Sequence, residues 1–235
     1  PSELEQRLKK NCRTQRTTVF RQFIAVVAAY LWRVSGNREL VLGVPYHGRA
    51  NSQATETAGM FVRTLPLRLA IEDEQSFAGL LRLLNVEMKA VIEHSAYPYD
   101  QLVFDLKEKN GDLPELITVN VSEIVPQDTE EVGFWNVEPE HEPSPLNFYL
   151  EKQSADAGGA LRIIAMYQTE LFSAEEIRQV LSRINVLLTA VLEEPESELR
   201  QLTLLPAEEE RLVREKFNAT QADYELDTTI HALFE

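Results

Sequence analysis

The sequence lacks most of the features that identify a protein class at once. It has one cysteine, Cys12, in 235 residues, which excludes an internal disulfide framework and fits a reducing compartment. No apolar run approaches the roughly 18 residues of a membrane span. Phosphate-binding glycine loops and the G-x-S-x-G elbow do not occur, and the four histidines show no metal-ligand spacing. We therefore expect a cytoplasmic protein with no metal site and no membrane contact.

Positive charge is scarce and unevenly distributed. The chain carries 23 Lys and Arg against 38 Asp and Glu, a formal net charge of −15. Residues 1–70 hold 11 basic and 4 acidic side chains, whereas residues 71–235 hold 12 and 34. So acidic a chain is a poor candidate for binding nucleic acid or an anionic membrane. The basic first third faces either an acidic surface or solvent, and charge patterning leaves both open.

Hydrophobic periodicity predicts an alternation of strands and helices. Apolar residues recur at helical spacing in residues 20–34, 76–94 and 173–194, and the last segment opens with an S-x-x-E capping box at Ser173 and Glu176. Short segments with strand character cover residues 39–45, 59–69, 117–124, 146–153 and 160–168. Their order, with two strands, a helix, three strands and a helix, predicts an α/β (α+β sandwich) fold with a mixed sheet flanked by helices.

The composition changes near residue 198. Beyond it the sequence predicts a short apolar strand from Leu199, a helix that starts at Pro206, and then a polar, aperiodic stretch. We expect one domain over residues 1–198 and a linker into a further domain over residues 199–235. The chain opens on Pro1, and an apolar stripe begins at Ile230 just before the end. We therefore expect a piece of a longer protein.

Three polar features are candidates for function, although they do not form a complete catalytic set. Arg63 shares one face of the segment "GMFVRTLPLR" with large apolar residues. The segment "HSAYPYDQLV", residues 94–103, joins a histidine to an aromatic–proline–aromatic turn, and Asn120 lies on an otherwise apolar strand. Structural roles remain open: His94 as a partner of a helix dipole, the tyrosines as core side chains, and Asn120 as an amide satisfied by a neighbour.

The same segments resemble the C-terminal half of a nonribosomal peptide synthetase condensation domain. "AGMFVRTLPLR" is similar to the family motif G-x-F-V-N-T-x-x-x-R, with Arg63 where the family has Asn. "HSAYPYDQLV" is similar to the motif H-x-x-Y-P-F-E, with Tyr99 and Asp100 as near equivalents. "LVLGVPYHGR" and "LITVNVSEI" resemble core segments of the family. The stretch from Leu202 onward resembles the family's linker into an adenylation domain.

The resemblance implies a chloramphenicol-acetyltransferase-like subdomain, one of two halves that enclose a tunnel. Carrier proteins bring the donor and the acceptor on phosphopantetheine arms, and the acceptor amine attacks the donor thioester to form an amide. The histidine assigned to this chemistry belongs to an H-H-x-x-x-D-G motif of the other half, and that motif does not occur here. We therefore expect no catalytic residue in this chain, no directly bound cofactor, and no activity in isolation.

The resemblance also places a set of residues at the tunnel or the interface between the halves. They are Gly59, Phe61, Arg63, Thr64, Arg68, His94, Tyr97, Pro98, Tyr99 and Asn120. The implied partners are the N-terminal half, peptidyl carrier proteins and a downstream adenylation domain. Two alternatives remain: a non-catalytic platform that docks adenylation and carrier domains, and, from "KEKNGDLPEL", a condensation domain that loads a fatty acyl group.

Three expectations concern the architecture. The strand Gly59–Leu69 and the turn Tyr97–Asp100 should lie beside an open, partly apolar surface where the other half binds. The apolar stripe between Ile177 and Leu192 should pack on the sheet. The tail from Leu199 should cross back over a sheet edge or groove.

Overall fold

A five-stranded mixed sheet, with three long helices packed on one of its faces, forms the body of the chain. The structure is a computed structural model that describes residues 3–49, 52–111, 117–124, 144–152 and 160–221, together with residues 229, 231 and 234. The end of the "KEKNGDLPEL" segment, the loop "SADAGG" and most of the stretch from residue 222 lie outside the described residues. The fold confirms the predicted α/β class.

The helices and strands follow the predicted order. The helices are α1 (Glu3–Thr14), α2 (Val19–Ser35), α3 (Ser52–Glu56), α4 (Phe77–Glu93), α5 (Tyr99–Asn110), α6 (Ala174–Glu193) and α7 (Ala207–Arg211), which continues into a π-helical turn at Leu212–Lys216. The strands are β1 (Glu39–Tyr46), β2 (Arg63–Ala70), β3 (Val119–Ile124), β4 (Leu146–Lys152) and β5 (Leu161–Tyr167). The short helix α3 lies between β1 and β2, and α5 extends over 12 residues after the aromatic–proline–aromatic turn.

The sheet is mixed because its central strands run parallel while each edge strand is antiparallel to its neighbour. The strand order is β2-β1-β3-β4-β5, with parallel pairing of β1 to β3 and of β3 to β4. The β1–β2 pair is antiparallel over its whole length, from Glu39 opposite Ala70 to Tyr46 opposite Arg63. The edge position of β2 accommodates Pro66, which cannot donate a hydrogen bond to a ladder.

One face of the sheet builds the core with helices α2, α4 and α6. Buried side chains on this face include Leu42, Leu67, Val121 and Phe148. Helix α6 buries Ile177, Ile184, Leu187, Leu188 and Val191 in the same core, which confirms the expected packing of its stripe. The capping box is confirmed as well: the Ser173 hydroxyl accepts from the Glu176 N–H at 3.2 Å, and the Glu176 carboxylate accepts from the Ser173 N–H at 2.8 Å.

The second strand begins at Arg63, so its predicted start at Gly59 was wrong. Leu65, Leu67 and Leu69 are buried on the core face, whereas Arg63 is exposed. The strand therefore passes beyond the end of the core before it reaches Arg63. Period-two alternation placed Arg63 on the apolar face, but at that position the face borders solvent, and no charge is buried.

The tail from Leu199 does not form the predicted strand, but its first residues do cross back over the body of the chain. The Leu199 N–H donates to the carbonyl of Gln75 at 2.8 Å, and Arg33 Nη1 donates to the carbonyls of Leu199 and Leu202 at 2.5 and 3.0 Å. Both leucines are buried, and burial lowers the pKa of Arg33. The tail therefore covers the C-terminal end of α2 and the segment before α4. The first compact unit ends at Leu204, and Leu205–Glu235 forms the second.

Candidate functional site

An open groove of about 780 Å³ lies between the start of β2 and the turn that joins α4 to α5. The residues of the predicted set that line it are Arg63, Thr64, His94, Tyr97, Pro98 and Tyr99. Leu65, Pro66, Val91 and Leu102 give the rest of its wall an apolar surface, and Asp100 is the remaining lining residue. Two segments that are 25 residues apart at their nearest, Pro66 and Val91, thus meet at one surface. That surface is open and partly apolar, as expected beside this strand and this turn.

Arg63 joins the two walls of this groove. Its Nη1 donates to the carbonyl of Ser95 at 2.7 Å, which ties the first residue of β2 to the α4–α5 turn. Arg63 makes no ion pair within the described part of the chain, and its side chain is exposed. The charge therefore remains hydrated while the guanidinium satisfies a backbone acceptor.

His94 caps the C-terminal end of α4. Its Nδ1 lies 2.9 Å from the carbonyl oxygen of Ala90, and because a carbonyl only accepts, Nδ1 is the nitrogen that carries the hydrogen in this contact. The neutral ring then keeps its lone pair on Nε2. This contact supports the helix-end role, and it also fixes the ring that lines the groove.

Tyr97 lies at the surface and is linked to helix α5. Its hydroxyl donates to Asp105 Oδ2, and Gln101 Nε2 donates to Asp105 Oδ1 at 2.6 Å. The hydrogen bond from Tyr97, followed by that from Gln101, holds the pKa of Asp105 below its usual value, and the same bond to Asp105 raises the pKa of Tyr97. With 50% of its surface exposed, Tyr97 is not a core side chain.

Asn120 belongs to a polar cluster on the face of the sheet opposite the core. Its Nδ2 donates to Ser144 Oγ at 2.6 Å and to Asn147 Oδ1 at 3.0 Å, and Asn147 Nδ2 donates to the carbonyl of Ser144 at 3.2 Å. The Oδ1 of Asn120 is buried and accepts no hydrogen bond from the described residues. A Cβ added at Gly43 would lie 1.7 Å from that oxygen, so the glycine makes room for the amide.

The cluster and the groove are neighbours without being one site. Pro66, Gly43, Asn120 and Asn147 are successive partners across the sheet, and adjacent strands lie about 4.8 Å apart. Asn120 is therefore two strands away from Pro66, which lines the groove. The sequence pattern identified Asn120 as a candidate residue but missed Gly43. A glycine in the middle of the strand "ELVLGVP" could have indicated it, because such a glycine often marks a point where another group approaches the backbone closely.

The remaining predicted residues lie outside the groove. Arg68 points away from the core on β2 and pairs with Glu39 at 2.6 Å between Nη2 and Oε1. Gly59 and Phe61 belong to the loop between β1 and β2, where both contact Arg49. Arg49 was also missed, although it lies within the quoted segment "LVLGVPYHGR".

The chain superposes on solved condensation domains and on a larger synthetase. The first condensation domain of the CDA synthetase superposes with a TM-score of 0.69 and 22% identity, over 88% of this chain and 46% of that chain. A four-domain nonribosomal peptide synthetase bound to AMP and glycine gives a TM-score of 0.79 and 16% identity, over 89% of this chain and 17% of that chain. At these identities the likeness defines the fold class.

The chain belongs to the condensation-domain family, whose model matches residues 1–213. Among curated proteins it is similar to surfactin synthase subunit 1 of Bacillus subtilis (strain 168), with 31% identity over 237 residues. That alignment covers all of this chain and 7% of the synthase. The chain therefore spans a small part of the curated relatives that it matches.

No group of three or more His, Cys, Asp or Glu side chains in the described ranges is arranged to hold a metal ion. No described helix has the length and apolar character needed to cross a membrane.

Proposed function

We propose that this chain is the C-terminal half of a condensation domain that forms amide bonds in a nonribosomal peptide synthetase. The proposal rests on the share of a condensation domain that this chain covers. The family model matches residues 1–213, yet the superposed chain occupies 46% of a solved condensation domain. The H-H-x-x-x-D-G motif is absent from the sequence, which supports a proton-transfer step carried out by the other part of the domain.

In the proposed reaction, the acceptor amine attacks the carbonyl carbon of the donor thioester. The C–N bond forms, the C–S bond breaks, and the thiol of the donor arm leaves with a proton. This chain contributes surfaces that bind and orient the substrates. They include the groove beside Arg63, His94 and Tyr97, and the amide cluster at Asn120. The phosphopantetheine arms belong to the carrier proteins, so the chain binds no cofactor of its own.

The proposal includes three protein partners and a location. The N-terminal half completes the domain, peptidyl carrier proteins deliver both substrates, and residues 199–235 lead into an adenylation domain. The multidomain character of the matched synthetases supports this set. We place the protein in the cytoplasm, in keeping with its single cysteine.

The test compares the isolated chain with a condensation domain that contains it. Each is supplied with carrier-bound acyl donors and aminoacyl acceptors, and the amide product is followed by mass spectrometry. We expect product from the complete domain and none from the isolated chain, because the sequence of this chain does not contain the H-H-x-x-x-D-G motif to which the resemblance assigns the base.

Two results would contradict this assignment. Activity of the isolated chain that disappears in the variant His94→Ala would move the chemistry into this half. A complete domain that binds carriers but forms no amide would instead support the non-catalytic platform.

A further inference from the structure

Arg49 holds together the loop that joins β1 to β2. Its Nη1 donates to the carbonyl of Ala54 and to that of Thr57 at 2.8 Å, and its Nη2 donates to the carbonyl of Gly59 at 3.0 Å. The guanidinium carbon lies 4.3 Å from the centre of the Phe61 ring. One side chain therefore binds three backbone acceptors and an aromatic face along eight residues of the loop.

The backbone around Arg49 brings the two ends of the loop into contact. Gly48 has φ of 66°, and a Cβ there would lie 2.4 Å from the carbonyl oxygen of Phe61. Gly59 has φ of 151°, a conformation that side chains disfavour. The Arg49 N–H also donates to His47 Nδ1 at 3.1 Å. The loop conformation thus depends on two glycines and on one guanidinium.

The contacts require the shape of arginine as well as its charge. A guanidinium presents several N–H donors in one plane and stacks on an aromatic ring, whereas a lysine ammonium is a compact point charge. The acceptors from Ala54 and Thr57 lie at the C-terminal end of α3, where carbonyls lack helical partners and a cation is favourable.

The held loop exposes two apolar side chains. Met60 exposes 93% of its surface and Val62 exposes 58%, and between them Phe61 is fixed against Arg49. Val62 immediately precedes Arg63 of the groove wall, and Met60 lies three residues before Arg63. Exposed apolar side chains on an ordered backbone favour association, because the loop loses less conformational entropy when a partner binds.

We propose that Arg49 is a positioning residue, which holds Met60 and Val62 ready to contact the other part of the condensation domain. This inference rests on the proposed function. The solved domain that superposes on this chain is only 46% covered by it, so a second part of similar size is the partner available to the exposed pair.

The first measurement uses this chain and does not depend on activity. Backbone ¹⁵N relaxation gives order parameters for Gly59, Phe61 and Val62 in the wild type, in Arg49→Lys and in the control Arg68→Lys. We expect about 0.85 in the wild type and in the control, and below about 0.6 in Arg49→Lys. Arg68→Lys replaces the two hydrogen bonds that the guanidinium donates to Glu39, and it does not affect the contacts of Arg49 in the loop.

The second measurement uses the complete condensation domain. Arg49→Lys should lower kcat for amide formation at least tenfold, with an unchanged melting temperature and an unchanged KM for the carrier-bound acceptor. The double variant Met60→Ser/Val62→Ser should lower kcat to the same extent while its loop order parameters stay at the wild-type value. That combination distinguishes the effect of losing the exposed side chains from the effect of losing the order of the loop.

The possible results distinguish a failure of the proposed role of Arg49 from a failure of the proposed function. An ordered loop in Arg49→Lys would show that Arg49 does not hold the segment. A mobile loop with normal kcat, or normal kcat in the serine double variant, would eliminate the proposed contact. If the complete wild-type domain forms no amide, the proposed function and the contact both fail, while the relaxation data still decide the role of Arg49 in the loop.

Discussion

Gly43 and Asn120 occupy one point of the sheet where there is space for a single side chain. They are partners on the parallel strands β1 and β3, and the amide of Asn120 fills the volume that a larger residue at 43 would need. From there its Nδ2 reaches Ser144 and Asn147 on the far side. The absence of a side chain at one residue therefore permits a hydrogen-bonded cluster built by three others.

Gly43→Ala should destabilise the chain by about 1–3 kcal/mol, the usual cost of overpacking a filled site. The added methyl group would lie 1.7 Å from Asn120 Oδ1 and 2.7 Å from Ile117 Cγ2. Asn120→Ala should also destabilise, because the buried Asn147 loses the donor to its Oδ1. Free energies of unfolding from urea titration measure both effects.

The double variant Gly43→Ala/Asn120→Ala decides whether the two residues compete for space. We expect its free energy loss to be smaller than the sum of the single losses, since removal of the amide relieves the clash with the new methyl group. Strict additivity would show that the clash with Asn120 does not determine the cost.

At the scale of elements, helix α5 begins without a side-chain cap of its own. Pro98 occupies the N-cap position and makes no capping hydrogen bond. Tyr97, just before it, instead reaches Asp105 two turns along the helix, and Gln101 donates to the same carboxylate. This link orders the turn that forms one wall of the groove.

The link between Tyr97 and Asp105 should depend on pH in a definite direction. The pKa of Asp105 is held below its ordinary 3.8 and that of Tyr97 is raised above its ordinary 10.0. The carboxylate contribution is therefore present above about pH 4 and lost as pH falls through the folded pKa of Asp105. The phenol contribution is present below about pH 10 and lost as pH rises through the folded pKa of Tyr97.

NMR titration of the Asp105 carboxyl group tests this link. In Tyr97→Phe the pKa of Asp105 should rise part of the way toward 3.8, because Gln101 remains as a donor. Tyr46→Phe on strand β1 is the matched control and should leave that pKa unchanged. An Asp105 pKa that is the same in Tyr97→Phe and the wild type would mean that the hydroxyl does not bind the carboxylate in solution.

At the scale of the whole molecule, the tail completes the first compact unit. Leu199 and Leu202 are buried, and the backbone carbonyls of both accept from Arg33 on α2. A chain that stopped at residue 198 would expose the surface under these leucines and would leave a partly buried guanidinium without its acceptors.

Two truncated chains, residues 1–204 and residues 1–198, test this contribution. Burial of one large aliphatic side chain is worth about 1.5–3 kcal/mol, so loss of the two buried leucines should make the shorter chain less stable by about 3–6 kcal/mol. Urea unfolding followed by circular dichroism measures the difference. Equal urea midpoints for the two chains would show that residues 199–204 do not contribute to the stability of the unit.

The sequence by itself determined the elements whose causes are local. Helix α6 follows from a capping box and an apolar stripe, and helix α2 ends at Gly36 because its φ of 69° suits a residue without a side chain. Alternating apolar residues predicted β4 and β5 almost to the residue. These patterns act between residues a few positions apart, so a linear reading captures them.

Only the tertiary structure decided what depends on contacts between distant residues. The start of β2 and the exposure of Arg63 are set by where the core ends, which period-two alternation does not encode. The partners of Asn120 lie 24 and 27 residues away, and the Arg33–Leu202 contact spans 169. Arg49 was missed for a related reason: its acceptors are backbone carbonyls, which every residue type carries, so no side-chain pattern marks them.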